Sequence, residues 1–418
     1  MDAKDVFEEW TSYSLRRPLN LRDVDLEGMA NLSRRRIVAV TGVRRSGKSS
    51  LLMLLARYLD GRGEKVGFIS CEDSRLDPAR TLEEALKWFG EDGYLILDEV
   101  TSAKDWEGWL FRAHEMLGGR LKVIVSSSRT GLMAPSKPLR GRIASIEVFP
   151  LTFKEFLRFK NIESEPTTTG RGKVEKALLE YLRYGGFPEV VRTEPDMAKV
   201  SLLNDYFRET LSLDVAEALG SNVPVVQLFG RYVLWSQTFS ASKCLNHLKG
   251  LGYKIGKERI LQLESYSQES YLLFFLPIMA HNIKDRSQYP REAYPVDPGL
   301  LCSVRGIEDK GRLLECIVFL QLRRNLRPGE GMFYWKDRTG REVDFIIAAG
   351  SDARKAVQAC LDVSDPITMR REVEALSRCA MQLGIEEATM VTWDRSEEVE
   401  ADGIKIHLRP VIDWLNEI

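Results

Sequence analysis

Histidine is scarce in this chain, and cysteine lacks any ordered spacing. The four histidines form no HxxxH or HExxH pair, and the six cysteines (Cys71, Cys244, Cys302, Cys316, Cys360 and Cys379) show no CxxC. Neither a zinc site nor a disulfide framework is indicated. Long apolar runs are lacking too. The longest apolar-rich stretch, 271–280, is too short to span a bilayer. The opening Met-Asp-Ala-Lys-Asp is charged and contains no apolar leader core. Neither sign of charge is in excess: 60 Lys and Arg meet 61 Asp and Glu, for a formal net charge of −1. No global field therefore steers the chain to nucleic acid, and any such binding must be local. What remains is 418 residues, 44% hydrophobic and 29% charged. That composition fits a soluble globular protein of more than one domain, expected in the cytoplasm without a membrane partner.

The most informative segment runs from Ile37 to Leu52. An apolar strand leads into Gly42-Val43-Arg44-Arg45-Ser46-Gly47-Lys48-Ser49, followed by Ser50 and an apolar stretch of helical character. This G-x-x-x-x-G-K-S pattern, between a strand and a helix, is a phosphate-binding P-loop. Its glycines let the backbone wrap a phosphate chain, and the helix N-terminus adds positive dipole ends. Lys48 is expected on the β- and γ-phosphates and Ser49 on Mg2+.

Strands are expected at 37–40, 65–70, 94–98, 121–126 and 144–149, with helices at 49–58, 81–89 and 106–117 between them. Strands spaced by helices imply a parallel sheet covered on both faces. The third strand ends in Asp98-Glu99, a Walker B element. Asp98 is expected in the Mg2+ shell, and Glu99 one residue later can orient an attacking water. The fourth strand ends in Ser126-Ser127-Ser128. Ser126 and Ser127 are candidate sensors of the γ-phosphate or the water, the alternative being a simple turn. Arg142, before the fifth strand, is placed to act on a neighbouring subunit's γ-phosphate or on its own; the alternative is a surface arginine.

The P-loop, the Asp-Glu strand end and the late arginine resemble the AAA+ ATPases. The succession Gly141-Arg-Ile, Val148-Phe-Pro-Leu-Thr-Phe-Lys-Glu-Phe156 and Tyr184-Gly-Gly-Phe-Pro-Glu-Val190 narrows this. It looks like archaeal and bacterial AAA-type ATPases with a poorly characterised C-terminal domain. The resemblance covers nearly the whole chain. It implies an ATPase core at 1–150 and a helical lid and connector at 151–223, broken by a polar loop at 161–173. In the lid, Gly186-Phe187-Pro188 is similar to a Gly-x-Pro whose proline packs on the base; the alternative is a helix–helix turn.

Residues 224–294 carry two helical patterns joined by a glycine-bearing turn, which resembles a helix-turn-helix. The run 271–280 would supply wing strands. Lys243, Lys249, Lys254, Lys257 and Arg259 cluster here, and Lys243, Lys257 and Arg259 are candidate DNA contacts. The alternative is packing against protein. Residues 295–418 resemble the PD-(D/E)xK nuclease fold. Glu315 and Asp344 would be the metal carboxylates and Gln358 the replacement for the second-strand acid. Cys360 stands where the water-activating lysine belongs, and Lys355 is near only in sequence. The expectation is therefore a nuclease-like domain without catalysis. The first 35 residues are expected as helix and linker.

The expected fold is α/β: an AAA+ parallel sheet flanked by helices, a helical lid, a winged helix and a C-terminal nuclease-like α/β domain. The expected activity is Mg-dependent hydrolysis of ATP, coupled to nucleic acid. Two rival readings are a slow nucleotide switch that assembles with protein partners or with copies of itself, and an ATP-gated nuclease.

Overall fold

The computed structural model describes residues 2–128, 137–163, 167–236, 238–280, 289–306 and 308–417. The chain divides into two compact units, Met1–Phe149 and Pro150–Ile418.

The first unit is built on five strands: β1 (Ile37–Thr41), β2 (Val66–Ser70), β3 (Gly93–Asp98), β4 (Leu121–Ser127) and β5 (Ile143–Glu147). All pair in parallel, in the order β2-β3-β4-β1-β5. β1 and β3 are buried along their whole length, the signature of a sheet covered on both faces. Alternate residues divide between two apolar layers. Ala39, Leu97 and Val125 pack with α1 (Ala3–Arg16), α4 (Thr81–Phe89) and α5 (Trp106–Leu117). Val38, Val40, Ile96 and Ile124 pack with α2 (Leu26–Ser33) and α3 (Lys48–Asp60). The order puts β4 between β1 and β3, so its terminal serines fall between the P-loop and Asp98.

The N-terminal helix α1 is part of the core. Val6 and Phe7 on α1 are fully buried. Trp10 Nε1 donates to Asp73 Oδ2 at 2.8 Å. The Thr11 hydroxyl donates to the carbonyl of Phe68 on β2 (3.2 Å) and accepts from the amide of the same residue (3.0 Å).

The second unit opens with α6 (Phe153–Phe159), α7 (Thr168–Tyr184), α8 (Pro188–Arg192) and α9 (Asp196–Glu209). The polar loop expected at 161–173 is shorter than its composition suggested. Thr167 caps α7 by accepting from Gly170 N, so the helix begins within it. A π-helical stretch, Thr210–Ala216, runs into α10 (Glu217–Leu219). Next come α11 (Val223–Trp235), β6 (Thr238–Phe239), α12 (Ala241–Gly250), α13 (Lys257–Glu269), β7 (Leu273–Leu276) and β8 (Arg291–Pro295). These strands form an antiparallel sheet in the order β6-β8-β7. The run 271–280 thus supplies one strand of the pair; the other comes from Arg291–Pro295.

After α14 (Pro298–Arg305) and α15 (Lys310–Arg324) comes a mixed six-stranded sheet, ordered β13-β14-β12-β11-β10-β9. Its strands are β9 (Glu330–Lys336), β10 (Glu342–Ala349), β11 (Asp352–Cys360), β12 (Glu387–Thr392), β13 (Glu397–Ala401) and β14 (Ile404–Pro410). The long α16 (Pro366–Leu383) packs on it, and α17 (Val411–Glu417) ends the unit with Trp414 buried. The fold class is therefore α/β: a parallel five-stranded sheet flanked by helices, and a separate C-terminal mixed sheet. Among the described residues no helix is long and apolar enough to cross a membrane.

Two sequence motifs of the second unit meet each other. Asp297, buried at the start of α14, accepts from Gly186 N (2.7 Å) and Gly299 N (2.9 Å). Gly186 O accepts from Leu151 N at 2.7 Å. Gly185 has φ +74°, and a Cβ there would lie 1.6 Å from Asp297 Oδ1. Pro188 opens α8 at its first position, after a Phe187 ring buried edge-on against Tyr206. The Gly-Gly-Phe-Pro motif is thus engaged in packing within its own unit.

Candidate functional site

The P-loop leaves β1 at Thr41 and enters α3 at Lys48. Three of its residues occupy the left-handed half of conformational space: Gly42 (φ 145°), Arg45 (φ 65°) and Gly47 (φ 98°). At Gly42 a Cβ would sit 2.1 Å from the Val148 carbonyl, so only glycine fits there. Lys48 is buried, and its Nζ donates to the carbonyls of Gly42 (3.0 Å) and Val43 (3.1 Å). Ser46 is fully buried, and its Oγ has no hydrogen-bond partner among the described residues. A buried hydroxyl of this kind is costly unless something else satisfies it.

Arg22, on the segment before α2, holds this loop from outside. Its guanidinium donates to the carbonyls of Ser46 (2.9 Å) and Phe149 (2.9 Å). No sequence pattern points to it. Arg22→Ala should weaken nucleotide binding about tenfold, by loosening the loop without touching Lys48. A fluorescent-nucleotide titration checks this, and an unchanged affinity would mean the brace is idle.

Asp98 ends β3 and is buried. Burial raises its carboxyl to about 6; hydrogen bonds from Ser126 and Ser49 oppose the shift, and the nearby Glu99 adds to it. Ser126 Oγ donates to Asp98 Oδ1 and accepts from Glu99 N (3.0 Å). Glu99 sits in the left-handed region at φ 50°. Its Oε2 accepts from Ser128 N (3.0 Å) and Ser128 Oγ (3.2 Å), and its Oε1 lies 4.0 Å from Lys48 Nζ. Ser127 pairs with Thr101 at 2.8 Å. Lys48, Ser49, Asp98, Glu99 and Ser126 therefore form one connected group, which Ser128 joins.

Arg142 lies elsewhere in that unit. Its Nε donates to Glu115 Oε1 on α5 (2.7 Å) and its Nη1 to Pro138 O (2.8 Å), while its carbon stands over the Phe111 ring. To act on a phosphate it must first leave Glu115.

In the second unit, Lys243 on α12 and Lys257 on α13 are exposed. Arg259 is not equivalent to them. Its Nη1 donates to Leu219 O at 3.1 Å, which ties α13 to the end of α10. Asp344 on β10 and Gln358 on β11 are neighbours: Asp344 N donates to Gln358 Oε1 (3.0 Å), and Ala359 N to Asp344 Oδ2 (2.9 Å). Gln358 Nε2 donates to Glu372 on α16 (2.9 Å). Glu315, on α15, accepts from Arg312 Nη1 (2.6 Å) and from the Tyr294 hydroxyl. The Tyr294 hydroxyl also lies 2.7 Å from Glu292 Oε2. Burial, with Glu315 and Glu292 close by, holds the Asp344 carboxyl well above the carboxylate range. Cys360 is buried, with its thiol pushed up to about 11, and Lys355 is exposed. Among the described residues no three acidic, histidine or cysteine side chains are grouped to hold a metal ion.

Comparison with known proteins adds three family matches. Residues 34–157 match the family described as an AAA domain. Residues 175–311 and 310–358 match two domains of unknown function, DUF8612 and DUF4143. An uncharacterized protein of Methanocaldococcus jannaschii is 27% identical over 99% of this chain and 95% of its own. One from Haemophilus influenzae is 26% identical over 91% and 94%. Among solved structures, AMPPCP-bound DnaA from Aquifex aeolicus is similar over 59% of this chain and 86% of its own, at 14% identity and a TM-score of 0.27. A point variant of Thermotoga maritima RuvB is similar over 60% and 87%, at 15% identity and a TM-score of 0.31. The AAA-domain match spans the P-loop, Asp98-Glu99 and Arg142.

Proposed function

We propose that the chain binds ATP with Mg2+ and hydrolyses it to ADP and phosphate. One observation carries the reading: a buried carboxylate, Asp98, is hydrogen-bonded to the P-loop Ser49, and Lys48 and Glu99 stand at its side. The orphaned Ser46 hydroxyl and the glycine cradle at Gly42 fit a phosphate chain. Lys48 would leave its loop carbonyls for the phosphates. Ser49 and Asp98 would hold Mg2+, which supplies charge neutralisation on the phosphate oxygens. Glu99 would position the water, and Ser126 keeps the two carboxylates in register. Arg142 would reach a phosphate of a neighbouring copy.

The proposed output is on nucleic acid. Supporting it, α11, β6, α12, α13, β7 and β8 follow one another in the order of a winged helix, and Lys243 and Lys257 are exposed on it. Steady-state hydrolysis should rise with single-stranded, duplex or branched DNA, and the rise should shrink with salt and in Lys257→Ala. Lys48→Ala is the blank. A rate indifferent to all three DNAs would remove this output and leave the protein-partner switch. That second reading has its own support: Leu251 at the end of α12 and Leu261 on α13 are 53% and 43% exposed, and Arg259 is spent on Leu219. The C-terminal sheet is proposed as a nuclease-like domain without catalysis, because Arg312 occupies Glu315 and Cys360 is a buried thiol. An ATP-gated nuclease is the least supported reading.

A further inference from the structure

The three residues before each of β4, β1 and β5, which are neighbours in the sheet, are all arginine or glycine. They read Gly118-Gly119-Arg120, Arg34-Arg35-Arg36 and Arg140-Gly141-Arg142. The parallel sheet brings them together. Ile37 N donates to Arg142 O at 2.9 Å, and a Cβ on Gly119 would lie 4.0 Å from Arg34 O. Gly119 and Gly141 turn their loops at φ 78° and 79°, and at Gly141 a Cβ would meet nothing within 4 Å. The loops therefore stand open around their arginines. All five strands run in parallel, so this row lies at the end of the sheet opposite to the P-loop. The five residues of β1 put roughly 15 Å between the two.

Few carboxylates face these arginines. Glu91 pairs with Arg120 (3.0 Å) and Glu115 with Arg142 (2.7 Å). Arg34 engages the Tyr94 hydroxyl, with Glu64 nearby. Of the other carboxylates at this end, Asp92 is on Lys122 (3.8 Å), and Asp60, which ends α3, is followed by Arg62 and Lys65. Among the described residues no carboxylate pairs with Arg35, Arg36 or Arg140, and all three are exposed. In a chain of net charge −1 this is a local excess of positive charge.

Unpaired guanidiniums on adjacent strands fit a polyanion that offers phosphates in a row. The make-up of the loops selects among polyanions. A bilayer surface is gripped by apolar side chains as well as by charge, and these nine positions carry none. The exposed apolar residues nearest in the chain, Leu32 and Met116, are single and belong to α2 and α5. A single strand is held by stacking its bases on aromatic rings, which these positions also lack. A duplex keeps its bases inside and offers its phosphates densely, one charge per about 1.7 Å of axis.

We propose that this end of the sheet binds the phosphate backbone of duplex nucleic acid without reading its sequence, through Arg35, Arg36 and Arg140 with Arg34 and Arg120 beside them. Such binding deepens the proposed output on nucleic acid, on which it rests, by adding a second surface and the form of strand bound. It uses no residue of the winged helix. Arg142 is left to the phosphate of a neighbouring copy.

The test is fluorescence anisotropy of a labelled DNA duplex of about 24 base pairs on the full chain, in EDTA without nucleotide. Arg35→Ala/Arg36→Ala/Arg140→Ala should bind about 30-fold more weakly at about 100 mM salt, with a salt slope smaller by about 2 to 3, alike on duplexes of different sequence. Arg35→Lys/Arg36→Lys/Arg140→Lys keeps the charges and should stay within about threefold of wild type. Basal ATP hydrolysis should be unchanged in both, since neither touches the P-loop. A single strand of the same length should bind at least about tenfold more weakly. Lys243→Ala/Lys257→Ala separates this surface from the winged helix, and its loss should add to that of the alanine triple. A loss in the alanine triple alone supports the row and leaves the winged helix idle. A loss in the lysine double alone overturns the row while the winged-helix reading stands. A single strand bound as tightly as the duplex overturns the assignment. So does an alanine triple that keeps its duplex affinity but releases vesicles containing about 30% phosphatidylserine, which would make the row a membrane contact.

Discussion

Glu99→Gln should slow ATP turnover by about 10²- to 10⁴-fold while the chain still takes up nucleotide. Glu99 is held in a way that lets the exchange stay local. It lies one residue past β3 in the left-handed region, and Ser128 donates to it through both backbone and hydroxyl. A glutamine oxygen can keep accepting from Ser128, so the local shape survives. What is lost is the negative charge beside Lys48 and any capacity to draw a proton from water. Lys48→Ala differs because it removes phosphate binding as well. Phosphate release and a fluorescent-nucleotide titration together separate the two. Turnover within threefold of wild type would reduce Glu99 to a structural role, and a parallel loss of binding would mean the loop had collapsed.

The second large effect concerns stability. Gly185→Ala should cost the C-terminal unit about 3–5 kcal/mol, a fall in its melting transition on the order of 10 °C. Two costs add. With φ +74° and ψ −164°, Gly185 occupies a region that residues with a Cβ essentially do not enter. The new methyl would also displace Asp297, a buried carboxylate, from the amides of Gly186 and Gly299. Scanning calorimetry reads the transition. Nucleotide affinity at the P-loop is the control, because that unit contains none of these contacts. A melting temperature within 2 °C of wild type would show that the turn can relax, and the lock would be refuted.

What could be read in advance was what lies contiguous in the chain. The P-loop, the Asp-Glu strand end and the alternation of strands and helices are local patterns, and they placed Lys48, Ser49, Asp98 and Glu99 together. What was not legible has physical causes. Side chains alternate along a strand, so Ser126 and Ser128 share a face and Ser127 points away to Thr101. Arg22 lies 24 residues before Ser46 and follows no periodicity. The bond between Gly186 and Asp297 closes 111 residues, so this packing contact of the Gly-Gly-Phe-Pro motif follows no local spacing. Arg142 stands at the expected place in the chain, but its partner Glu115 belongs to a helix 27 residues earlier. At the C-terminal carboxylates, the arginine and tyrosine that occupy Glu315 follow no local pattern.

The bonds between Thr11 and Phe68 bear on how the chain can be cut. β2 is a border strand of the five-stranded sheet, and the hydroxyl on α1 engages the amide and the carbonyl of the same β2 residue. A fragment begun at residue 34, where the AAA-domain match starts, would lose Thr11, the buried Val6 and Phe7, and the Arg22 brace together. Its border strand would then present an uncovered apolar row to any other β-strand, including that of an identical fragment. Such a truncation is an invitation to intermolecular strand pairing and precipitation. The segment before the P-loop therefore acts as a built-in guard against self-association, as well as part of the core.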